Sequence, residues 1–176
     1  MKKMLDKIKF EEAIEKEWIV TNGLGGFASS TIIGVNTRKY HGLLVAPLKP
    51  PAQRYLLVSK VDESVNIDGI EYGLYTNMCR NNITEGYKHL VSFEKEEVPV
   101  FSYNVEGIEI EKSICMEYRK NVSLILYKIK NIDKKATLKL TPLLNYRNFH
   151  SVSCDKNFYV EQNINGNLVD VVIDNS

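Results

Sequence analysis

Apolar and polar side chains alternate with a period of two along several stretches that are rich in β-branched and aromatic residues. The pattern is clearest over residues 112–118, 123–132 and 136–144. Because successive side chains of a β-strand point to opposite faces, this period predicts half-buried strands. No strand-like segment is followed by a long amphipathic helix, which excludes a parallel sheet built from βαβ units.

Glycine-containing dipeptides separate three pairs of strand-like runs, at Asp68-Gly69, Glu106-Gly107 and Asn165-Gly166. Such dipeptides tolerate the positive φ angles of the turns that join paired strands. They therefore predict three β-hairpins. Residues 47–51, with the sequence PLKPP, predict a stiff loop between two strands.

Helical periodicity is confined to residues 1–16, where Ile8, Ala13 and Ile14 form a weak apolar stripe. The remaining sequence indicates about a dozen short strands, more than the seven to nine of an immunoglobulin-sized sandwich. We predict an all-β fold, an antiparallel, supersandwich-like β-sandwich with at most a short N-terminal helix. Residues 1–176 are expected to form a single domain, and because the chain stops just after a strand, we expect it to be a fragment of a longer polypeptide.

The overall composition is that of an ordinary globular protein, with 44% hydrophobic and 26% charged residues. No apolar run approaches the roughly 20 residues that a bilayer requires, and acids stand where a signal peptide needs its apolar stretch. The net charge of +1 argues against a dedicated nucleic-acid binder. We therefore expect a cytoplasmic protein without membrane or nucleic-acid partners.

Motifs for metal or cofactor binding are missing from the sequence. Cys79, Cys115 and Cys154 include no CxxC pair and are expected to be reduced thiols, and the histidines show no HxxxH spacing. GLGGFA, starting at Gly23, matches a dinucleotide-binding pattern but lacks the helix and the later acid that such a site needs. No GxSxG motif occurs, and the clustered acids are typical of solvated strand faces. We expect no metal, no cofactor and no catalytic residue.

Residues 21–44 combine five glycines with many hydrogen-bonding side chains, in a region free of Asp and Glu from Trp18 to Val61. Glycines here permit either tight turns and bulges between strands or the close approach of a ligand, and the sequence leaves both interpretations open. In the second, amide, guanidinium and imidazole groups bind sugar hydroxyls while an aromatic face stacks on the sugar. The candidate binding residues are Trp18, Asn22, Asn36, Arg38, Tyr40 and His41, joined by Arg147 and His150 from a second polar cluster at residues 145–150.

Residues 17–46, with the block NTRKYHGLL, strongly resemble the opening signature of the N-terminal domain of bacterial and archaeal glycogen debranching enzymes of the amylo-α-1,6-glucosidase type. Residues 98–131 and 140–150 resemble further blocks of that domain, in the same order. The resemblance implies a β-sandwich attached to a C-terminal (α/α)6 barrel, which would hold the acid and base that hydrolyse α-1,6-linked glucose.

The same resemblance implies that this chain is a non-catalytic part of a glycoside hydrolase of carbohydrate metabolism and is inactive alone. Its partners would be the barrel of the same polypeptide and a branched α-glucan, either glycogen or a limit dextrin. A free-standing carbohydrate-binding module and a β-sandwich interaction module remain alternatives.

Overall fold

A computed structural model describes residues 2–4, 9–80, 82–130, 135–152 and 159–174, and most of these lie in β-strands. The strands are β1 Lys2–Met4, β2 Glu17–Thr21, β3 Phe27–Thr31, β4 Gly42–Lys49, β5 Ala52–Ile67, β6 Ile70–Gly73, β7 Met78–Cys79, β8 Asn82–Ile83, β9 Leu90–Lys95, β10 Pro99–Val105, β11 Ile108–Met116, β12 Ser123–Lys130, β13 Ala136–Asn148, β14 Tyr159–Asn165 and β15 Leu168–Asp174. This confirms the all-β prediction.

The helical elements are short. The helix α1 spans Phe10–Ala13 and buries Ala13, and one 3-10 turn spans Gly86–His89. This agrees with the prediction of at most a short N-terminal helix; Ile8, named in that prediction, lies outside the described residues, as does Cys154. None of the helices in these ranges has the length and apolar character needed to cross a membrane.

Two antiparallel sheets pack face to face. Sheet A has the strand order β1-β9-β10-β11-β12, and sheet B has the order β13-β5-β4-β3-β2, with β6 beside β5. The core lies between them, where Trp18 of sheet B meets Phe101 of sheet A edge-on at a centroid distance of 6.0 Å. Phe101 also contacts Phe93, 5.0 Å away. The strands β7 and β8, and β14 and β15, form separate two-stranded sheets.

All three predicted hairpins are present. In the first two, Asp68 and Gly69 have φ angles of 51° and 92°, and Glu106 and Gly107 have φ angles of 50° and 86°. Two consecutive positive φ angles are what a type I′ turn requires. These two turns confirm the prediction residue for residue.

The third hairpin turns one residue later than predicted. Asn165 pairs with Leu168, so the two central residues are Gly166 and Asn167. Gly166, with a φ of 60°, occupies the first central position, where a type II′ turn takes glycine. Glycine suits the first central position of a type II′ turn as well as a position of a type I′ turn, so the dipeptide alone does not fix which residues are central.

The prediction of a loop over residues 47–51 is wrong for its first three residues. Pro47 lies in β4 opposite Arg54, and Lys49 lies opposite Ala52, so the connection contains only residues 50–51. Pairing between β3 and β4 does not extend past Val45. At Pro47 the strand therefore has a neighbour on one side only, which is where a sheet tolerates the missing N–H of proline.

Candidate functional site

The loop between β3 and β4 closes around the ring of His41. The backbone N–H of His41 donates to the carbonyl of Arg38 at 3.0 Å, and the ring Nδ1 accepts from the N–H of Thr37 at 3.1 Å. On the other side of the ring, Nε2 lies 3.3 Å from Oε1 of Glu17. That same oxygen accepts from Nε of Arg38 at 2.5 Å. One carboxylate thus holds both the imidazole and the guanidinium.

The geometry defines the protonation state of His41. Because Nδ1 accepts a backbone hydrogen bond, the ring is neutral and carries its proton on Nε2, facing Glu17. Burial lowers the pKa of His41 below its ordinary value of 6.5 and outweighs the opposing effect of Glu17. His41 therefore acts as a fixed hydrogen-bonding brace for the loop.

The end of β13 lies against this loop. Arg147 donates from Nη2 to the carbonyl of Lys39 and from Nη1 to the carbonyl of Ser151, both at 2.6 Å. Lys39 Nζ donates to the carbonyl of His150 at 2.8 Å. The hydroxyl of Tyr40 lies 3.3 Å from Nδ1 of His150. The structure thus brings together the two polar clusters singled out in the sequence.

The ring of Phe149 packs against the place where the β3–β4 loop meets the end of β13. Phe149 lies with its ring centroid 5.4 Å from Tyr40, 4.0 Å from His150 and 6.4 Å from Phe27. The guanidinium of Arg54 stands 5.4 Å above the same ring. Sequence analysis did not select Phe149 or Arg54; the signal available was the position of Phe149 inside the polar cluster at residues 145–150.

We call the exposed part of this junction the Tyr40 patch, made of Arg38, Lys39, Tyr40, Arg147 and His150. The side chain of Arg38 is 64% exposed, and Tyr40 is 37% exposed. The patch offers cationic donors, a hydroxyl, an imidazole and an aromatic face within one small area. These groups suit a ligand with many hydroxyls, which needs donors and acceptors beside an apolar stacking surface.

Comparison with known families decides what kind of protein carries this patch. The model of the family described as glycogen debranching enzyme N terminal matches residues 16–175. The chain belongs to this family. The match runs past His150, the last residue on which the resemblance was based, and takes in β14 and β15. Neither the curated proteins nor the solved structures gave a match.

Two of the predicted binding residues of this debranching enzyme domain, Trp18 and Asn36, make hydrogen bonds that hold the fold together. Trp18 is 5% exposed, and its Nε1 donates to the carbonyl of Thr31 at 3.1 Å. Asn36 accepts from the hydroxyl of Ser30 at 2.8 Å and donates to the carbonyl of Ser59 at 3.0 Å. The ring of Trp18 packs in the core instead of presenting a stacking face, and Asn36 fastens its loop to β5.

Asn22 organises the glycine-rich turn between β2 and β3. It is fully buried, and its Oδ1 accepts from the N–H groups of Leu24 and Gly26, both at 2.9 Å. Its Nδ2 donates to the carbonyl of Lys120 at 2.9 Å. Gly23 has a φ of 74°, and a Cβ there would come within 2.5 Å of the ring of Tyr118. The structural interpretation of these glycines therefore fits the fold.

The buried carboxylate of Glu63 lies between the sheets, and the sequence patterns did not single it out. Glu63 is 3% exposed, and its Oε1 accepts from Nζ of Lys112 at 2.6 Å and from the hydroxyl of Tyr127 at 2.7 Å. Burial, reinforced by the charge of Glu63, raises the pKa of Tyr127 above its ordinary range. The available signal was the position of Glu63 on the same strand face as Val61 and Val65.

The domain shows no clustered set of metal ligands in the ranges that the structure covers: no three His, Cys, Asp or Glu side chains there are arranged to hold an ion. Cys79 and Cys115 are free thiols. At the Tyr40 patch, the Glu17 carboxylate is engaged by Arg38 and His41.

Proposed function

We propose that this chain is the non-catalytic N-terminal domain of a cytoplasmic glycoside hydrolase that removes α-1,6-linked glucose from a branched α-glucan, either glycogen or a limit dextrin. In this proposal the Tyr40 patch forms part of the wall of the substrate pocket. The family match supports the enzyme class. The observation that carries the binding role is the meeting of Tyr40 and His150, 110 residues apart in sequence, at an exposed surface.

Four of the five members of the patch have a proposed role that follows from their contacts. Tyr40 offers its ring face to the apolar side of a glucose unit, and His150 and Arg38 offer hydrogen bonds to its hydroxyls. Arg147 is a positioning residue, because its two hydrogen bonds clamp the loop of Lys39 to the loop of Ser151. His41 and Glu17 position Arg38 from beneath.

Hydrolysis itself is assigned to a C-terminal (α/α)6 barrel of the same polypeptide. Glycosidases need two carboxyl groups that flank the scissile bond, and Glu17, the acid that contacts the patch, is bound to Arg38 and His41. In this proposal the barrel docks on the β14–β15 hairpin. On one face of that hairpin Val160, Ile164 and Val169 are 46%, 74% and 53% exposed.

Steady-state kinetics of the complete enzyme test this proposal. The double variant Tyr40→Ala, His150→Ala removes a stacking face and a hydrogen-bonding group, each worth about 1 kcal/mol. We expect KM for a branched dextrin to rise at least tenfold, with kcat changed much less because the reacting groups lie in the barrel.

Ile70→Ala provides the control, since Ile70 is 60% exposed on β6 and lies outside the patch. It should leave both constants at their wild-type values. Unchanged kinetics in a stably folded Tyr40→Ala, His150→Ala enzyme would contradict the binding role, and a loss of thermal stability alone would assign the patch to the support of the domain interface.

A further inference from the structure

Sheet A ends in a free edge at β12. Among the described residues, β12 pairs with β11 alone, over eight consecutive residue pairs from Glu109–Lys130 to Met116–Ser123 without a register shift. The strand contains no proline, and its outward side chains Leu124 and Leu126 are 46% and 57% exposed. A long, regular edge strand with exposed apolar side chains is a template for pairing with another strand.

The two edges of sheet B formed by β13 and β2 are less suited to pairing with another strand. β13, the edge of sheet B next in sequence, contains Pro142 and shows two register irregularities against β5, after Leu143 and after Leu144. At the opposite edge, β2 has only five residues. Proline, bulges and short length are three of the devices by which proteins block edge pairing, and outward lysines such as Lys128 and Lys130 of β12 are a fourth. β12 has none of these three devices.

We propose that a second copy of this chain pairs with β12, so that two β12 strands run antiparallel about a two-fold axis at Tyr127 and join two copies of sheet A into one continuous sheet. The pattern of β12 is self-complementary in this register. On the outer face, Leu124 lies opposite Lys130 of the partner subunit, and Leu126 lies opposite Lys128 of the partner subunit.

This register resolves the charge problem that an edge with two lysines presents. Like charges directly opposite each other destabilise a strand pair, and here every Lys128 and Lys130 faces a leucine, whose apolar surface their aliphatic stems can cover. On the inner face, Ile125 lies opposite the partner's Ile129. A shift by two residues that centres the axis on residue 128 would instead set lysine against lysine.

Sedimentation velocity of the purified chain tests the proposal. We expect a dimer for the wild-type chain. Leu126→Lys should convert it to a monomer with an unchanged circular dichroism spectrum, because the new lysine faces Lys128 of the partner subunit twice in each dimer. Ile70→Lys, which adds the same charge at an exposed position of sheet B, should leave the dimer intact.

Removal of the charge at the facing position then tests the register itself. Adding Lys128→Gln to Leu126→Lys replaces each like-charge pair by a charged and a neutral side chain and should restore the dimer. Glutamine is used because Lys128 lies opposite Glu111 of β11, where Lys128→Glu would set two acids against each other. If Leu126→Lys fails to fold, Leu124→Lys with and without Lys130→Gln repeats the test at the next outer pair. A monomeric wild-type chain, a dimer that survives both single lysine substitutions, or a failure of the glutamine substitutions to restore association would overturn the proposal.

Discussion

At the scale of single residues, the Glu17 carboxylate joins a buried imidazole to an exposed guanidinium. His41 is 3% exposed, whereas the side chain of Arg38 is 64% exposed, so the chain of contacts runs from the interior to the surface. The loop can therefore display Arg38 and Tyr40 in a fixed geometry. A sequence cannot show this arrangement, because His41 and Tyr40 are neighbours in sequence with opposite exposures.

His41 should make stability depend on pH in the mildly acidic range. Burial lowers its pKa in the fold below the 6.5 of the unfolded chain, so its contribution is fully present above pH 6.5. As the pH falls from 6.5 through the folded pKa, the unfolded state binds more protons and stability is lost. We expect the urea midpoint to decrease over this range, and to decrease less in H41N.

H41N suits this test because its amide oxygen can accept the N–H of Thr37 in place of Nδ1 but does not titrate. The measurement is urea unfolding of both proteins at a series of pH values on either side of 6.5. An identical pH dependence in the two proteins would show that His41 is not the titrating group.

Glu63 should be necessary for stability only while Lys112 is present. The side chains of Glu63 and Lys112 are 3% and 13% exposed, so E63Q leaves a buried cation without its partner. Breaking a buried pair in this way costs about 3–5 kcal/mol, whereas a variant that removes both charges leaves neither unpaired. We expect E63Q to lose that amount in chemical denaturation and E63Q/K112M to recover most of it, because the introduced amide oxygen still accepts from the hydroxyl of Tyr127.

The single variant K112M completes the thermodynamic cycle for this pair. A strong coupling between the two positions is expected, since they share one hydrogen bond of 2.6 Å. If E63Q proved as stable as the wild-type protein, the pair would not be a structural element of the core.

At the scale of elements, local sequence determines most of the strands and turns. The alternation over residues 123–132 and 136–144 corresponds to β12 and β13, and the Asp68-Gly69 and Glu106-Gly107 dipeptides form the turns that they predict. The prediction that was wrong, the loop at residues 47–49, depends on contacts between residues distant in sequence. The strand character of Pro47 depends on where β3 stops pairing with β4, which no short stretch of sequence encodes.

The turn between β10 and β11 should respond in opposite directions to two substitutions. Gly107 has a φ of 86°, and no atom lies within 4 Å of where its Cβ would be, so G107A adds backbone strain without a clash. We expect a loss of about 1–2 kcal/mol. Glu106, with a φ of 50°, already bears such strain, and E106N should gain a few tenths of a kcal/mol, because asparagine tolerates this region.

Both variants of this turn can be compared by urea unfolding, with m-values checked for two-state behaviour. A stabilising G107A or a strongly destabilising E106N would show that the turn does not have the type I′ geometry.

At the scale of the whole molecule, residue types suggested candidate binding residues but not which of them are exposed. Arg38, Tyr40, Arg147 and His150 meet at one surface, whereas Trp18 and Asn22 are buried within the same part of the fold. Burial depends on how sheet A covers sheet B, and this information is spread over the whole chain. Glu63 was missed for the same reason.

We propose that this domain contacts α-glucan through the Tyr40 patch and that hydrolysis takes place in another part of the polypeptide. An NMR titration of the isotope-labelled chain with a branched limit dextrin tests it most directly. We expect amide shift changes concentrated at residues 37–41 and 147–151, absent with a β-linked glucan and lost in the Tyr40→Ala, His150→Ala variant. Shifts confined to other surfaces, or none at saturating dextrin, would contradict it.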